Sequence, residues 1–444
     1  MQQYFYDLVD YVSSGLKGGE VLLASFSGEE SDFVRLNRSA VRQAGSVAQR
    51  YVTLELIGGQ RHVKATAGLS GDAATDRPRL DALVADARER LPFVPPDPYL
   101  LYSTDVRSGE RVGGNTLPAP DATLDAILAA GKGRDLVGIL AQGAVCAGFA
   151  NSLGQRNWFR TSSFHFDWSF YHDGDAEGPK AVKSSYAGFA WDDAAFRRKV
   201  DAAAAQLEIL SRPARTVPPG NYRVYLAPAA LAEILDLLAW GGFGLKAHRT
   251  KDTSLLRMIE GGQQLSPAVT IRENTRDGIA PNFQPQGYIR PDAVTLIEGG
   301  RYRDCLVSPR SARQYGAEPN GASESESPDS FDMDGGEVPS AEVLQRLGTG
   351  VCINHLWYLN YSDRPACRIT GMTRFATFWV DGGRIAAPLD VMRFDETVYR
   401  VLGSNLQGLT RERDFIPNAH TYGGRSTESA RVPGALVENF AFTL

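Results

Sequence analysis

A proline-rich segment near the middle of the chain sets the main limit on how the chain can fold. Residues 211–220 read SRPARTVPPG, and the three prolines lack the backbone donors that a helix interior or a central strand requires. We therefore expect a connection between two domains at this point. The predicted domains cover residues 1–215 and 220–444, and each is long enough to build its own core.

The side-chain pattern on the two sides of this connection differs. Residues 155–191 alternate polar and aromatic side chains, which is typical of antiparallel strands. Residues 192–210 predict a helix capped by Asp192, and residues 77–91 predict another that is capped by Asp76. Most segments beyond residue 220 are strand-like. The sequence therefore predicts an α+β fold, in which an N-terminal mixed α/β domain precedes a strand-rich, antiparallel C-terminal domain.

One acidic stretch interrupts the strand pattern of the C-terminal domain. Residues 317–337 contain seven Asp or Glu and no Lys or Arg, with Ser and Gly between them. This composition predicts a solvated surface loop. A calcium-binding loop is disfavoured because the full ligand spacing is missing.

The composition excludes several classes of protein. The 444 residues carry 47 Lys and Arg against 52 Asp and Glu, a net charge of −5, and form no basic stripe for nucleic acid. No run of about 18 apolar residues predicts a membrane span, and the first residues lack the features of a signal peptide. Four cysteines are too few for a disulfide framework in a chain of this size. We expect a cytoplasmic protein.

The six histidines specify no zinc site by local spacing. The motifs His-x-x-x-His, Cys-x-x-Cys, His-Glu-x-x-His and Gly-x-Ser-x-Gly are all missing from the sequence. The densest group of metal-type ligands combines His165 and Asp167 with His172 and the acidic turn at residues 173–175. The simpler interpretation is an aromatic hairpin whose polar residues face water, and the sequence favours it while leaving a metal site open.

Aromatic and Asn-rich stretches around residues 354–361 and 417–422 form a candidate binding groove. Such side chains line sites that bind a polar backbone, although they also serve to satisfy their own loops. The candidate groove residues are Trp240, Gly241, His355, Tyr358, Asn360, Tyr361, Asn418 and His420.

An ordered series of segments resembles the TldD/PmbA family. The segments are a strand followed by a helix at 222–241, the blocks 253–256 and 262–271, a strand and hairpin at 296–302 and 308–316, and a closing sheet at 350–363 and 378–389. Residues 34–41, 56–67 and 151–154 are similar to the opening region of the family. The resemblance rests on the order of these segments across nearly the whole chain.

The resemblance implies that the family's zinc site is missing from this chain. In TldD-type members the helix after the first strand carries His-Glu-x-x-x-His, which supplies two zinc ligands and a catalytic glutamate, and a cysteine ligand lies nearer the C-terminus. The corresponding window here contains Asp236, Leu237 and Gly241 and no imidazole, and residues 431–440 contain no cysteine. The chain therefore resembles the PmbA/TldE branch, with no catalytic residue, metal ligand or cofactor of its own.

The resemblance further implies a heterodimer with a TldD-type partner that holds the zinc. This cytoplasmic metalloprotease would cleave unfolded or modified peptides in proteolysis and peptide maturation, and the present chain would be its pseudoenzyme subunit. Peptides would be held in an enclosed chamber as added β-strands. One alternative is a homodimeric peptide- or ligand-binding protein without a protease partner. Another is a metalloenzyme built on His165, Asp167 and His172, or on His355 and His420.

Overall fold

A seven-stranded sheet forms the N-terminal part of the protein in the computed structural model, which describes residues 1–172 and 180–444. Its strands are β1 (Glu20–Asn37), β2 (Ala40–Gly58), β3 (Arg61–Gly68), β4 (Gly109–Val112), β5 (Asp135–Asn151), β6 (Arg156–His172) and β7 (Lys180–Gly188). The strand order is β3-β2-β1-β5-β6-β4, and β7 pairs with β6 beyond the end of β4. The pairs are antiparallel except for β4 with β6, which is parallel.

Four α-helices accompany this sheet in the described part of the chain. They are α1 (Gln2–Ser14), α2 (Ala73–Arg90), α3 (Pro120–Gly131) and α4 (Asp193–Leu210). Apolar residues of α1 recur at helical spacing and are buried against the sheet, among them Phe5 and Leu8. Helix α4 begins after Asp192, whose carboxylate accepts hydrogen bonds from the backbone N–H groups of Ala194 and Ala195.

An eleven-stranded sheet forms the C-terminal part of the protein. Its strands are β8 (Gly220–Leu226), β9 (Ile271–Glu273), β10 (Val294–Glu298), β11 (Arg301–Tyr302), β12 (Ser330–Met333), β13 (Gly350–Asp363), β14 (Arg368–Asp381), β15 (Arg384–Pro388), β16 (Arg393–Thr397), β17 (Leu406–Pro417) and β18 (Ser429–Phe442). The helices of this part are α5 (Pro228–Ala239), α6 (Leu245–Arg249), α7 (Leu256–Ile259), α8 (Pro309–Tyr315) and α9 (Val343–Leu347). Most pairs are antiparallel, while β8 lies parallel to β13 and antiparallel to β18.

Both sheets contribute to one apolar cluster. The aromatic side chains of Phe166 and Trp168 on β6 stack with ring centroids 4.8 Å apart, and Phe196 of α4 packs against both. Phe378 of β14 belongs to the same cluster and is fully buried. This shared core fixes β6 and β7 opposite the C-terminal strands.

The predicted α+β fold is confirmed, including the strand-rich antiparallel C-terminal part. The last strand of the first sheet ends at Gly188, and the first strand of the second sheet begins at Gly220. The division into two domains, 1–215 and 220–444, stays a prediction. No helix within residues 1–172 and 180–444 is long and apolar enough to cross a membrane.

The acidic stretch 317–337 is not the solvated loop that its composition predicts. Its residues 330–333 form β12, all four are buried, and the strand pairs with β9 and β18 inside the sheet. Glu326 is also buried, and its carboxylate accepts hydrogen bonds from the backbone N–H groups of Lys246 and Ser308, each at 2.8 Å.

Arginines from distant segments explain why this acidic stretch enters the fold. Arg272 binds Asp334 through two hydrogen bonds of 2.6 and 2.9 Å. Arg413 pairs with Asp332 and Arg290 with Asp329. A count of charges within the stretch cannot detect partners that lie elsewhere in the chain, so the composition alone predicted a loop.

Candidate functional site

An open cavity of about 780 Å³ lies where the two sheets meet. Strands β6 and β7 form one wall, and α5, β13, the end of β17 and the start of β18 form the other. The volume lies within the roughly 300–1,000 Å³ that is typical of ligand sites. The acidic, lysine and histidine side chains that line it are His165, Asp167, Lys183, Glu233, Asp236, His355, His420 and Glu428.

Helix α5 presents its polar face to this cavity. The helix starts with Pro228, whose fixed φ suits the first helical position. Its apolar residues, such as Leu231 and Ile234, are completely buried against the second sheet. Glu233 and Asp236 stand three residues apart on the remaining face, so both carboxyls reach the cavity.

The window predicted to correspond to the family's zinc motif lies at the end of α5. Asp236 and Leu237 line the cavity, and the carbonyl oxygen of Leu237 accepts a hydrogen bond of 2.8 Å from the Tyr361 hydroxyl. Gly241 has a left-handed φ of +75°, which turns the chain away after the helix. No group of three or more His, Cys, Asp or Glu in residues 1–172 and 180–444 is placed to hold a metal ion. The residues of this window do not fit a zinc ion.

Five of the eight candidate groove residues line the cavity. They are Trp240, His355, Tyr358, Asn418 and His420. The side chains of Trp240 and Tyr358 are 59% and 76% exposed and stand at the cavity's edge. The ring of His355 packs edge-on against Phe375, with centroids 5.6 Å apart, and its Nδ1 atom has no hydrogen-bond partner among the described residues.

The other three candidate groove residues stand behind this wall. Tyr361 lies beside Trp240, with ring centroids 6.5 Å apart. The side-chain oxygen of Asn360 accepts a hydrogen bond of 2.8 Å from the backbone N–H of Tyr361. Gly241 is the turn residue that follows α5. These three residues support the aromatic edge of the cavity without lining it.

The structure separates the residues of the predicted His/Asp group on β6. His165 and Asp167 line the cavity, and Asp167 forms an ion pair of 3.3 Å with Lys183 on β7. His172 is seven residues further along β6, at the exposed end of the strand, where it pairs in register with Lys180. The acidic turn at residues 173–175 lies outside the described residues.

Burial shifts the pKa of several groups in the cavity. Burial raises the pKa of Glu233 to about 8, and Lys183 counteracts this effect only in part. Partial desolvation, together with the nearby charge of Glu428, also raises the pKa of Asp236. Burial lowers the pKa of His165 to about 4 and that of His355 to about 3, so both imidazoles are neutral at pH 7. The cavity thus combines two neutral imidazoles with one carboxyl, that of Glu233, whose charge is poorly solvated.

Sequence reasoning missed three residues of this cavity. Glu233 lies on the mainly apolar helix α5, Lys183 lies on strand β7, and Glu428 lies in the loop just before β18. No motif marks any of them. The spacing of Glu233 and Asp236 on one helix face is the only local signal that could have found a pair of them.

The C-terminal part of the chain matches a known class of domain. Residues 219–444, half of the chain, match the family model described as the PmbA/TldA metallopeptidase C-terminal domain. This chain belongs to the TldD/PmbA family, as its resemblance implied. No curated protein is similar enough in sequence to match it.

Solved structures share the fold over nearly the whole length of the chain. The crystal structure of TldE from Thermococcus kodakarensis is similar with a TM-score of 0.79 and 12% identity, covering 99% of this chain and 100% of that one. A candidate modulator of a DNA gyrase from Thermotoga maritima has a TM-score of 0.78 and 14% identity, with 99% of both chains covered. A similar candidate modulator from Bacteroides thetaiotaomicron has a TM-score of 0.78 and 14% identity, covering 99% and 98%. At these identities the similarity shows the fold alone.

Proposed function

We propose that this chain is the non-catalytic subunit of a cytoplasmic TldD/TldE-type zinc metallopeptidase. It supplies one wall of a chamber in which a TldD-type partner, which holds the zinc, cleaves unfolded or modified peptides. One observation carries this proposal. Helix α5 faces a cavity of about 780 Å³, as a catalytic helix of this family would, yet its side chains there include carboxyls and no imidazole.

Covalent catalysis by this chain is disfavoured by the state of its thiols. Burial raises the pKa of Cys352 and that of Cys367 to about 12, so neither supplies a thiolate near pH 7. Cys146 lies on β5, away from the cavity, and burial raises its pKa as well. The role that we propose for the cavity is to bind and position a peptide.

Two strand edges in the cavity wall support peptide binding by strand addition. Within the described residues β7 pairs with β6 alone, so its other edge has no strand partner there. Strand β13 pairs with β8 only from Val351 to Ile353, and residues 355–359 continue past that partner along the cavity. Of these residues, Leu356 already uses its backbone N–H in a hydrogen bond to the carboxyl of Glu233. An extended peptide can use such backbone groups whatever its sequence, which suits a protease of unfolded substrates.

Reconstitution with a TldD-type protein tests this proposal. We expect the two chains to co-elute as a heterodimer and to cleave an unfolded peptide together, while this chain alone leaves the peptide intact. The matched control is the same mixture with the partner's motif glutamate changed to glutamine, which should assemble without cleaving. A stable homodimer that ignores every TldD-type protein but still binds peptide would favour the binding-protein alternative instead.

A further inference from the structure

Two groups of charged side chains link the first sheet to the C-terminal part of the protein. Glu55 on β2 and Lys64 on β3 are cross-strand partners, and their side chains form an ion pair of 3.6 Å. Lys64 also pairs with Glu324 of the acidic stretch, at 3.6 Å. In the second group, Asp97 forms an ion pair with Arg310 of α8. A histidine lies between the two groups and makes them one continuous network.

This histidine, His62 on β3, stands between two carboxylates. Its Nδ1 atom lies 2.6 Å from the Oε1 atom of Glu55, and its Nε2 atom lies 3.6 Å from the Oδ2 atom of Asp97. Both ring nitrogens therefore face an acidic oxygen. A neutral imidazole carries one N–H, whereas the imidazolium carries two together with a positive charge. The arrangement thus favours the protonated ring.

The contacts of this ring are partly shielded from solvent. Glu55 is only 4% exposed, and the side chains of Asp97 and His62 are 16% and 29% exposed. The hydrogen bond with Glu55 is the main reason why the pKa of His62 lies above its ordinary value of 6.5. The charges of Glu55 and Asp97 add to this rise, while desolvation and the charge of Lys64 oppose it.

Asp97 belongs to a segment, residues 97–103, that joins the two parts of the protein. Its backbone N–H donates a hydrogen bond of 2.7 Å to the carbonyl oxygen of Gln60, in the turn between β2 and β3. At the other end of the segment, the backbone N–H of Ser103 donates to the carbonyl oxygen of Gln286 at 2.8 Å. Leu101 packs against an apolar cluster that includes α8. The charge of His62 therefore acts where the first sheet meets the C-terminal part.

We propose that His62 and its charged neighbours form a pH-sensitive ionic bridge between the β2–β3 hairpin and α8. When His62 is protonated, its charge joins the ion pairs of the first sheet to the ion pair of α8. When the ring loses its proton, the attraction to Asp97 is lost, while a neutral ring still donates one hydrogen bond to Glu55. The contact between the two parts of the protein then loosens.

The direction of this pH dependence follows from the pKa of His62. Because that pKa is higher in the folded chain than its ordinary value, the folded chain binds the proton more tightly than the unfolded chain does. The stabilisation is therefore full below pH 6.5, and it is lost as the pH rises through the higher pKa of the folded protein.

Hydrogen exchange of the full-length chain at a series of pH values tests this bridge. After correction for the intrinsic exchange rate, we expect protection of residues 97–103 and 309–315 to fall roughly two- to fivefold between about pH 5.5 and pH 9. His62→Gln removes the charge and should give the lower protection at both pH values. His62→Lys keeps a cation and should give the higher protection at both. The matched control, His420→Gln, changes an exposed histidine and should keep the wild-type pH dependence.

Direct titration of His62 provides a second measurement. NMR of the chain with labelled histidines follows the ring signals, and the signal that is missing from His62→Gln belongs to His62. We expect its midpoint to lie above 6.5 and to fall in Asp97→Asn, which removes one of the two facing carboxylates.

A midpoint at or below 6.5 would overturn the ionic bridge. Protection that does not change with pH in the wild type, or a pH dependence that survives in His62→Gln, would also overturn it. These outcomes leave the proposed function untouched, because the bridge involves no residue that lines the cavity.

Discussion

Glu233 places a partly buried carboxyl at the cavity wall. Its neighbours on α5, Ile234 and Leu235, are buried in the second core, so the helix position is set by apolar packing. Because apolar packing fixes the helix, it also fixes the Glu233 carboxyl at the cavity wall. Burial raises its pKa to about 8, so the folded chain holds this proton more tightly than the unfolded chain does.

The stability of the protein should therefore fall with pH through this one carboxyl. The unfolded Glu233 loses its proton near its ordinary pKa of 4.5, whereas the folded one keeps it until about pH 8. The contribution is full below pH 4.5 and is lost as the pH rises to 8. We expect Glu233→Gln to gain roughly 1–3 kcal/mol relative to wild type between pH 5 and pH 8.5. Urea unfolding at the two pH values measures this difference.

The exposed Glu208 on α4 provides the control for this measurement. Glu208→Gln should shift stability equally at both pH values. A pH-independent effect of Glu233→Gln would show that its carboxyl is well solvated and would contradict the description of the cavity as poorly solvated.

The cap of α2 shows the limit of sequence reasoning at single residues. Asp76 was predicted to cap this helix, but the cap is Asp72, and the helix begins at Ala73. Asp76 is instead fully buried and accepts hydrogen bonds from Ser70 and from the Tyr4 hydroxyl, at 2.6 Å. Two aspartates one turn apart are similar local candidates for a cap, and the contacts of Asp76 with Tyr4 of α1 and with Ser70 decide between them.

At the scale of elements, residues 418–428 form a strap that closes one side of the cavity. The strap is tied to the first sheet by Arg425, which donates hydrogen bonds to the carbonyl oxygens of Gly143 and Ser163, at 3.1 and 3.0 Å. The backbone N–H of Arg425 also donates to Glu29, and the Gln49 side-chain amide donates to the carbonyl of Gly423 at 2.8 Å. Asn418 and His420 thereby face the cavity from a fixed segment.

Arg425→Ala should release this strap. The change removes several hydrogen bonds from a buried guanidinium and should lower the free energy of unfolding by about 2–4 kcal/mol. Hydrogen exchange should accelerate across residues 418–428 more than in α5. The control, Arg384→Ala, changes an exposed arginine of β15 and should alter neither quantity. Unchanged exchange in the strap would show that Arg425 does not hold it.

Strand β12 allows a test of the corrected acidic stretch. Met333 is fully buried in the second core, so Met333→Ala should cost about 2–5 kcal/mol. Glu337→Ala alters an exposed side chain of the same stretch and should change stability by less than about 0.5 kcal/mol. Equal small effects of the two changes in chemical denaturation would restore the interpretation of a solvated loop.

Elements with a strong local pattern were predictable from sequence. Helix α4 and its cap, Asp192, follow from apolar spacing and from one carboxylate at the right position. The alternation of residues 155–191 predicts paired strands because successive side chains of a strand point to opposite faces. Strand β12 escaped prediction because its burial depends on arginines such as Arg272 and Arg413, which lie far away in sequence.

At the scale of the whole molecule, the cavity exists because two sheets share a core. One wall comes from β6 and β7 and the other from residues beyond 228, so no local window of sequence contains the site. The order of family-like segments along the chain predicted the family correctly. The lack of histidine in α5 could also be seen directly in the sequence. The placement of Glu233, Asp236 and Glu428 along one cavity could be seen only in the three-dimensional structure.

The zinc content of this chain, alone and in complex, tests the central claim most directly. The account predicts no stoichiometric zinc and no peptide cleavage for the isolated chain. It predicts one zinc per heterodimer with a TldD-type partner, held entirely by that partner, and cleavage only by the pair. One zinc per isolated chain, together with peptide cleavage in the absence of any partner, would contradict the account.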